Sequence, residues 1–123
     1  TYSGHPVACA AAVASMDLLA EEKLFERAAN SGVILGHAVH AAMRGLPGVV
    51  GIRTLGLAAA VELAPDPAAP GKKAYDIFLD CLAHGVLVRS AGDNLVFAPP
   101  YIVTESQIDQ MVSTLAAAIK RLA

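Results

Sequence analysis

Apolar residues recur along the first third of the chain at the spacing of two helices. An alanine-rich run over residues 6–19 predicts a helix that begins near His5, with Ser3 as its N-cap and a proline in its first turn. A second run over residues 24–43 predicts a longer helix that Gly45 ends. Because alanines run round every side of the first helix, we expect it to be enclosed or packed closely against another backbone.

Two glycines, Gly32 and Gly36, interrupt the second helical run. Glycine weakens the middle of a helix because it has more backbone freedom to lose on folding. Small residues four positions apart also let another helix cross at short distance. Both interpretations fit the pattern.

The period changes from helical to extended after residues 46–48. Residues 49–54 and 57–63 are short runs rich in apolar or β-branched residues, divided by Leu55-Gly56, and they predict two adjacent antiparallel strands. Residues 64–71 contain three prolines, which lack a backbone donor and restrict their neighbours, so this stretch is predicted to be a surface loop.

The last third of the chain combines two amphipathic helices with a hairpin. Apolar residues at i, i+3, i+4, i+7 and i+8 from Ala74 predict a helix that ends at His84-Gly85. Residues 86–89 and 94–98 flank residues 90–93 and predict a hairpin. Thr104 and Gln107 have the spacing of a capping box, which predicts a final helix reaching Leu122. The predicted fold class is therefore α+β, a small, mostly antiparallel sheet with helices on one face.

Composition narrows the class of protein. The 123 residues are 55% hydrophobic and 16% charged with a net charge of −2, which indicates one folded domain and excludes disorder. Scattered basic residues give no footprint for nucleic acid, and no apolar run reaches the length of a membrane span. The apolar excess suggests a surface meant for a partner. Cys9 and Cys81 lack metal or disulfide spacing and favour a reducing, cytoplasmic compartment.

No set of residues in the sequence forms a complete catalytic site. His37 and His40 lie three apart on a helix, where they are either surface residues or two ligands of a metal that needs a third. Asp76 and Asp80 share a helix face and are expected to be solvated. His84 is expected to stabilise a helix C-terminus rather than to act in catalysis.

Two features could bind an anion. The segment from Thr1 to Gly4 precedes a helix, where hydroxyls and free N–H groups can hold an anion; alternatively, Ser3 only caps the helix. Arg89 ends a predicted strand before an apolar stretch and could grip a carboxylate with two parallel hydrogen bonds. The alternative is a surface arginine paired with solvent or Asp93.

The segments that carry these features resemble one family. The block Thr-Tyr-Ser-Gly-His-Pro at residues 1–6 resembles the segment that opens the C-terminal part of class III (omega-amino acid) aminotransferases. Further matching segments follow in the same order at residues 48–57, 60–63, 85–89, 92–94 and 98–104. The similarity covers the whole chain and is greatest to beta-alanine–pyruvate aminotransferases.

This resemblance implies a fold, a cofactor and two site residues. The chain would be the C-terminal small domain (residues 1–123) of a pyridoxal 5'-phosphate enzyme, with residues 1–20 as a connecting interface helix. It would pack against a large domain of the same protein in a homodimer or dimer of dimers. Thr1 would reach the cofactor phosphate of the neighbouring subunit. Arg89 would bind the carboxylate of amino-acid and keto-acid substrates, and it would swing away for uncharged groups.

The same resemblance predicts that the chain alone is inactive. The family's catalytic lysine, which bonds to the cofactor, belongs to the large domain upstream of Thr1. None of the four lysines present, Lys23, Lys72, Lys73 and Lys120, lies in the matching motif. We therefore expect an upstream segment to complete an enzyme that transfers an amino group from beta-alanine or another omega-amino acid to pyruvate. The alternative is a stand-alone α+β module for binding or oligomerisation.

Overall fold

A computed structural model of the chain describes residues 1–122, and these residues form four helices and four strands. The boundaries agree with the predicted elements except at the hairpin discussed below. In chain order the elements are α1 (Pro6–Glu21), α2 (Leu24–Met43), β1 (Val49–Leu55), β2 (Ala58–Leu63), α3 (Lys72–Ala83), β3 (Arg89–Ala91), β4 (Asn94–Phe97) and α4 (Glu105–Leu122).

The four strands form one antiparallel sheet in the order β1-β2-β4-β3. Alternate residues of β2 are buried, namely Ala59, Val61 and Leu63, and their neighbours on β4, Leu95 and Phe97, are buried as well. Since side chains alternate along a strand, one face of the sheet lies on the core and the other is open. The predicted α+β class with an antiparallel sheet is confirmed.

Three helices cover the buried face of the sheet. The core contains fully buried side chains from each of them, among which are Leu35 and Val39 of α2, Ile77 of α3, and Ile108 and Leu115 of α4. These positions recur every three or four residues, so each helix turns one apolar stripe inward. The helices thus lie on one side of the sheet, as the sequence pattern predicts.

Helix α1 lies outside this core. It has no buried residue and packs against α2, while Val7, Val13 and Met16 are each more than half exposed. The enclosure that its alanine-rich sequence predicts is therefore not supplied by residues 1–122. Among these residues, no helix combines the length and the apolar character needed to cross a bilayer.

The predicted N-cap of α1 is wrong. His5, not Ser3, occupies the N-cap position, and its side chain makes no capping hydrogen bond. The reason is a tight turn in which the His5 N–H donates to the Tyr2 carbonyl at 3.2 Å and Gly4 adopts a φ of 72°. Ser3 lies within that turn, two residues before the N-cap position of the helix that Pro6 begins.

The second hairpin also differs from the prediction. Strand β3 begins at Arg89, whereas the sequence predicts a strand that ends there. The Val86 N–H donates to the Cys81 carbonyl of α3 at 2.9 Å, so the segment that enters β3 is bonded to a helix end. Ala91 pairs with Asn94 across the turn at Gly92-Asp93, where Gly92 has a φ of 57°. A two-residue turn extends the ladder further than a four-residue loop would.

The small residues of α2 face a hairpin rather than another helix. A Cβ atom at Gly32 would lie 2.5 Å from the carbonyl oxygen of Gly56, in the turn between β1 and β2. A Cβ atom at Gly36 would lie 3.8 Å from Thr54, which is ordinary van der Waals contact. The proposed close helix crossing is therefore wrong; the close approach is that of a helix to a strand turn.

Candidate functional site

The open face of the sheet carries a row of side chains that spans all four strands. Arg53 of β1 pairs with Ala60, Ala60 pairs with Val96, and Val96 pairs with Arg89 of β3. Directly opposed residues point to the same face of a sheet. The row therefore places one arginine at each end, with a short apolar floor between them.

Arg89 lies in a groove that wraps round the β3 edge of the sheet. The groove has a volume of about 480 Å³, and Arg89 contributes the one charged side chain to its lining. Its other lining residues are Phe78, Leu87, Val88, Ser90, Val96 and Ala98. A guanidinium beside apolar side chains can bind a carboxylate through two parallel hydrogen bonds.

The guanidinium of Arg89 has no hydrogen bond or ion-pair partner within residues 1–122. The suggested partner, Asp93, uses its carboxylate elsewhere: Asp93 Oδ1 accepts the Gly71 N–H at 2.9 Å. The alternative in which Asp93 neutralises Arg89 is therefore wrong. An exposed arginine beside an apolar groove keeps its five donors available for a ligand.

Arg53, at the other end of the row, is held by its neighbours. Its Nη1 donates to Glu62 Oε2 at 2.6 Å and its Nη2 donates to Asn94 Oδ1 at 2.7 Å. This network joins β1, β2 and β4 across the open face. Sequence reasoning missed it because Asn94 is 41 residues from Arg53, and the signal becomes visible only once the strand order is known.

Thr1 lies at the N-terminal end of α1, as predicted, and is exposed. The Cys9 N–H bonds to the His5 carbonyl, whereas the preceding N–H groups of Val7 and Ala8 have no acceptor among the described residues. Since Pro6 has no N–H, the donors that the helix itself offers to an anion at this end are those of Val7 and Ala8, and the exposed Thr1 lies five residues before Pro6. Thr1 is not part of the Arg89 groove.

The remaining polar candidates have structural surroundings. His37 is exposed and His40 half-buried on α2, and no cluster of three metal-ligating side chains occurs in the part of the chain that the structure describes.

The two carboxylates of α3 both form ion pairs. Asp76 pairs with Lys72 at 2.5 Å, while Asp80 pairs with Arg121. With its side chain 22% exposed, Asp80 is solvated only in part. His84 Nδ1 lies 2.7 Å from the Asp80 carbonyl at the C-terminus of α3.

The two cysteines differ in environment and form no disulfide. Cys9 is exposed on α1, whereas Cys81 is buried on α3. Burial raises the pKa of the Cys81 thiol from 9.0 to about 11, and the neighbouring Asp80 carboxylate adds to this while Arg121 opposes it. Since the folded pKa lies above the ordinary one, this thiol leaves the free energy of unfolding unchanged below pH 9 and lowers it from about pH 9 to pH 11.

Thiol labelling of the 123-residue chain at pH 8 is expected to distinguish the two cysteines. Cys9 should react rapidly with a disulfide reagent, and Cys81 should react only when the chain is unfolded, because a buried neutral thiol is a poor nucleophile. Thiol release followed by absorbance gives the stoichiometry. Cys9→Ser should abolish the rapid phase, and a rapid phase that survives this substitution would contradict the burial of Cys81.

Comparison with known protein families gives a match over almost the whole chain. The family described as aminotransferase class-III matches residues 1–119. An omega-aminotransferase of Caulobacter vibrioides is 41% identical over 115 residues, which cover 94% of this chain and 26% of that protein. A beta-alanine–pyruvate aminotransferase of Pseudomonas aeruginosa is 32% identical over 123 residues, which cover 100% of this chain and 27% of that protein.

Solved structures show the same relationship in three dimensions. An engineered thermostable omega transaminase from Pseudomonas jessenii superposes with a TM-score of 0.91 at 34% identity, covering 99% of this chain and 28% of that one. A transaminase studied with L-alanine superposes with a TM-score of 0.89 at 32% identity, covering 97% and 29%. The chain thus spans little more than a quarter of the length of the relatives it matches.

Proposed function

The chain belongs to the class III aminotransferases, and from that membership we propose that residues 1–123 are the C-terminal small domain of a pyridoxal 5'-phosphate enzyme. The enzyme would transfer an amino group from beta-alanine or another omega-amino acid to pyruvate. The names of two relatives support this substrate pair: beta-alanine–pyruvate aminotransferase, and an omega-amino acid–pyruvate aminotransferase of Pseudomonas putida that is 31% identical over 122 residues.

Arg89 carries the proposal, as the residue that binds the substrate carboxylate. Its unpaired guanidinium and apolar groove suit an amino acid or keto acid with one carboxylate and a small uncharged body. Two parallel hydrogen bonds would fix the orientation of that carboxylate, and with it the position of the reacting carbon. For an amine without a carboxylate, Arg89 is exposed and free to turn toward solvent.

The N-terminal end of α1 fits the phosphate of the cofactor. The Thr1 hydroxyl and the free N–H groups of Val7 and Ala8 are donors, and the helix dipole favours an anion at this end. We propose that Thr1 holds the phosphate bound to the neighbouring subunit of a homodimer or dimer of dimers. When bound, pyridoxal phosphate supplies the electron sink that makes amino-group transfer possible. The chain's own contribution is to hold the phosphate and to orient the substrate.

Exposed apolar residues on α1 support the proposed partners. Val7, Val13 and Met16 are exposed by 71%, 59% and 68%, which is unusual for one helix of an independent domain. A large domain of the same protein and a second subunit would cover such residues. We therefore assign residues 1–20 to a connecting interface helix, in preference to a stand-alone module.

The proposal is tested by comparing the 123-residue chain with the intact protein that contains it. The intact protein should convert beta-alanine and pyruvate to L-alanine when supplied with pyridoxal phosphate. The short chain should show no turnover and should retain no cofactor after borohydride reduction, because the lysine that bonds to it would lie outside residues 1–123. Specific labelling of one lysine in the short chain, detected by peptide mass, would overturn the proposal.

A further inference from the structure

The turn that connects β3 and β4 is hydrogen-bonded to two other elements, β2 and α3. The Asp93 carbonyl accepts the Leu63 N–H at the end of β2 at 2.8 Å. Asp93 Oδ1 accepts the Gly71 N–H at the start of α3 at 2.9 Å, in a partly buried position. One residue thus ties the hairpin to the sheet through its backbone and to a helix through its side chain.

The contact between this turn and the start of α3 leaves little room for a side chain at Gly71. Gly71 is the N-cap of α3 with a φ of 74°, and a Cβ atom there would lie 3.3 Å from the Gly92 carbonyl oxygen. The two backbones therefore approach each other closely, and the Asp93 carboxylate hydrogen-bonds across this contact. The loop of residues 64–71 is held against the hairpin at this point.

Arg89 lies on β3 of this hairpin, which Asp93 bonds to β2 and to the start of α3. Strand β3 has only three residues, pairs with β4 alone, and is an edge of the sheet. Val86 to Val88, which lead into it, do not belong to the ladder. The placement of β3 therefore depends on contacts at its two ends, which are the buried Val86 and Val88 before it and the turn at Gly92-Asp93 after it.

We propose that Asp93 is a positioning residue that sets the placement of β3, and through it that of the Arg89 guanidinium, for carboxylate binding. This inference rests on the role assigned to Arg89 under the proposed function. Asp93 acts as a hydrogen-bond acceptor for Gly71, not as a charge toward the substrate. The acceptor, rather than the negative charge, is therefore the property that matters.

The test uses the intact enzyme loaded with pyridoxal phosphate and two amino donors, L-alanine and benzylamine, of which only the first has a carboxylate. Each donor is followed as the half-reaction that passes its amino group to the cofactor, so no keto-acid acceptor is present. Asp93→Ala should raise KM for L-alanine about 10-fold, since it loses one partly buried hydrogen bond and shifts the guanidinium. KM for benzylamine and kcat for both donors should stay within about twofold. Asp93→Asn keeps an acceptor oxygen and should retain the selectivity of the native enzyme.

Asp66→Ala is the matched control. Asp66 Oδ1 accepts the Ala68 N–H at 2.9 Å in the same loop and does not touch the hairpin, so this variant should leave both KM values unchanged. If Asp93→Ala does not fold, Gly71→Ala tests the positioning role instead. Its new Cβ displaces Gly92 from the α3 side of the contact, so it should raise KM for L-alanine and leave KM for benzylamine unchanged. Equal effects on both donors, or a selective loss in Asp93→Asn, would overturn the positioning role.

Arg89→Ala separates this inference from the function on which it rests. If Arg89→Ala is selective for L-alanine and Asp93→Ala is not, only the positioning role fails. If Arg89→Ala affects both donors equally, the assigned role of Arg89 fails, whatever Asp93→Ala does.

Discussion

Replacing Arg89 with alanine in the intact enzyme is expected to weaken the binding of carboxylate substrates selectively, given the role proposed for this residue. A bidentate contact between a guanidinium and a carboxylate contributes about 2–4 kcal/mol, so KM for pyruvate and L-alanine should rise by about 30- to 1000-fold. Benzylamine, which makes no such contact, should keep its KM. Arg89→Lys should fall between these limits for carboxylates, because an ammonium group is a point charge without the planar fork.

Arg53→Ala is the control that the sheet itself provides. Arg53 lies in the same cross-strand row as Arg89, but its guanidinium is already bonded to Glu62 and Asn94. Steady-state kinetics with the two classes of donor should therefore show little change in selectivity for Arg53→Ala. A selective loss in Arg53→Ala that equals the loss in Arg89→Ala would show that any arginine on this face has the same effect, and would remove the special role of Arg89.

Helices α3 and α4 follow closely from the sequence because each has a strong local signal. The five apolar positions of α3 repeat at helical spacing, and three of them, Ala74, Ile77 and Cys81, are buried. The capping box of α4 forms as predicted: Thr104 N–H donates to Gln107 Oε1 at 2.9 Å, and Gln107 N–H donates to Thr104 Oγ1 at 3.3 Å. The residues that make up each signal lie within a few positions of one another in the sequence, so no tertiary information is needed to find them.

The details that sequence reasoning missed depend on contacts between distant segments. The extent of β3 follows from a two-residue turn and from the bond between Val86 and Cys81. The partner of Asp93 is Gly71, which is 22 residues away, and not Arg89, which is four residues away. Local spacing predicts the near partner because it contains no information on how α3 meets the hairpin.

The candidate site likewise combines features that the sequence predicts with features that only the structure shows. From the residues alone, Arg89 is one arginine among several with a plausible anion role, and only the family resemblance selects it. The structure adds the physical reason, which is that its neighbours leave its guanidinium unpaired beside an apolar groove. Thr1 differs, since its proposed ligand would come from another subunit and the 122 described residues contain only the donors.

Replacing Gly32 with alanine is expected to destabilise the chain, whereas the same change at Gly36 on the same helix is not. The new Cβ would lie 2.5 Å from the Gly56 carbonyl oxygen and 2.6 Å from its carbonyl carbon, which are backbone atoms that cannot rotate away. Either α2 or the turn between β1 and β2 must move, and overpacking of this kind costs about 1–3 kcal/mol even after the better helix propensity of alanine is included.

Gly36→Ala is the matched control, because it makes the same chemical change one turn along the same helix. Its Cβ would meet Thr54 at 3.8 Å without a clash, so it should gain about 0.5–1 kcal/mol from helix propensity. Equilibrium urea unfolding of the 123-residue chain should therefore give free energies of unfolding that change in opposite directions for the two variants. Changes of the same sign and size would mean that Gly32 is not in close contact with the turn, and that α2 meets the hairpin at a greater distance.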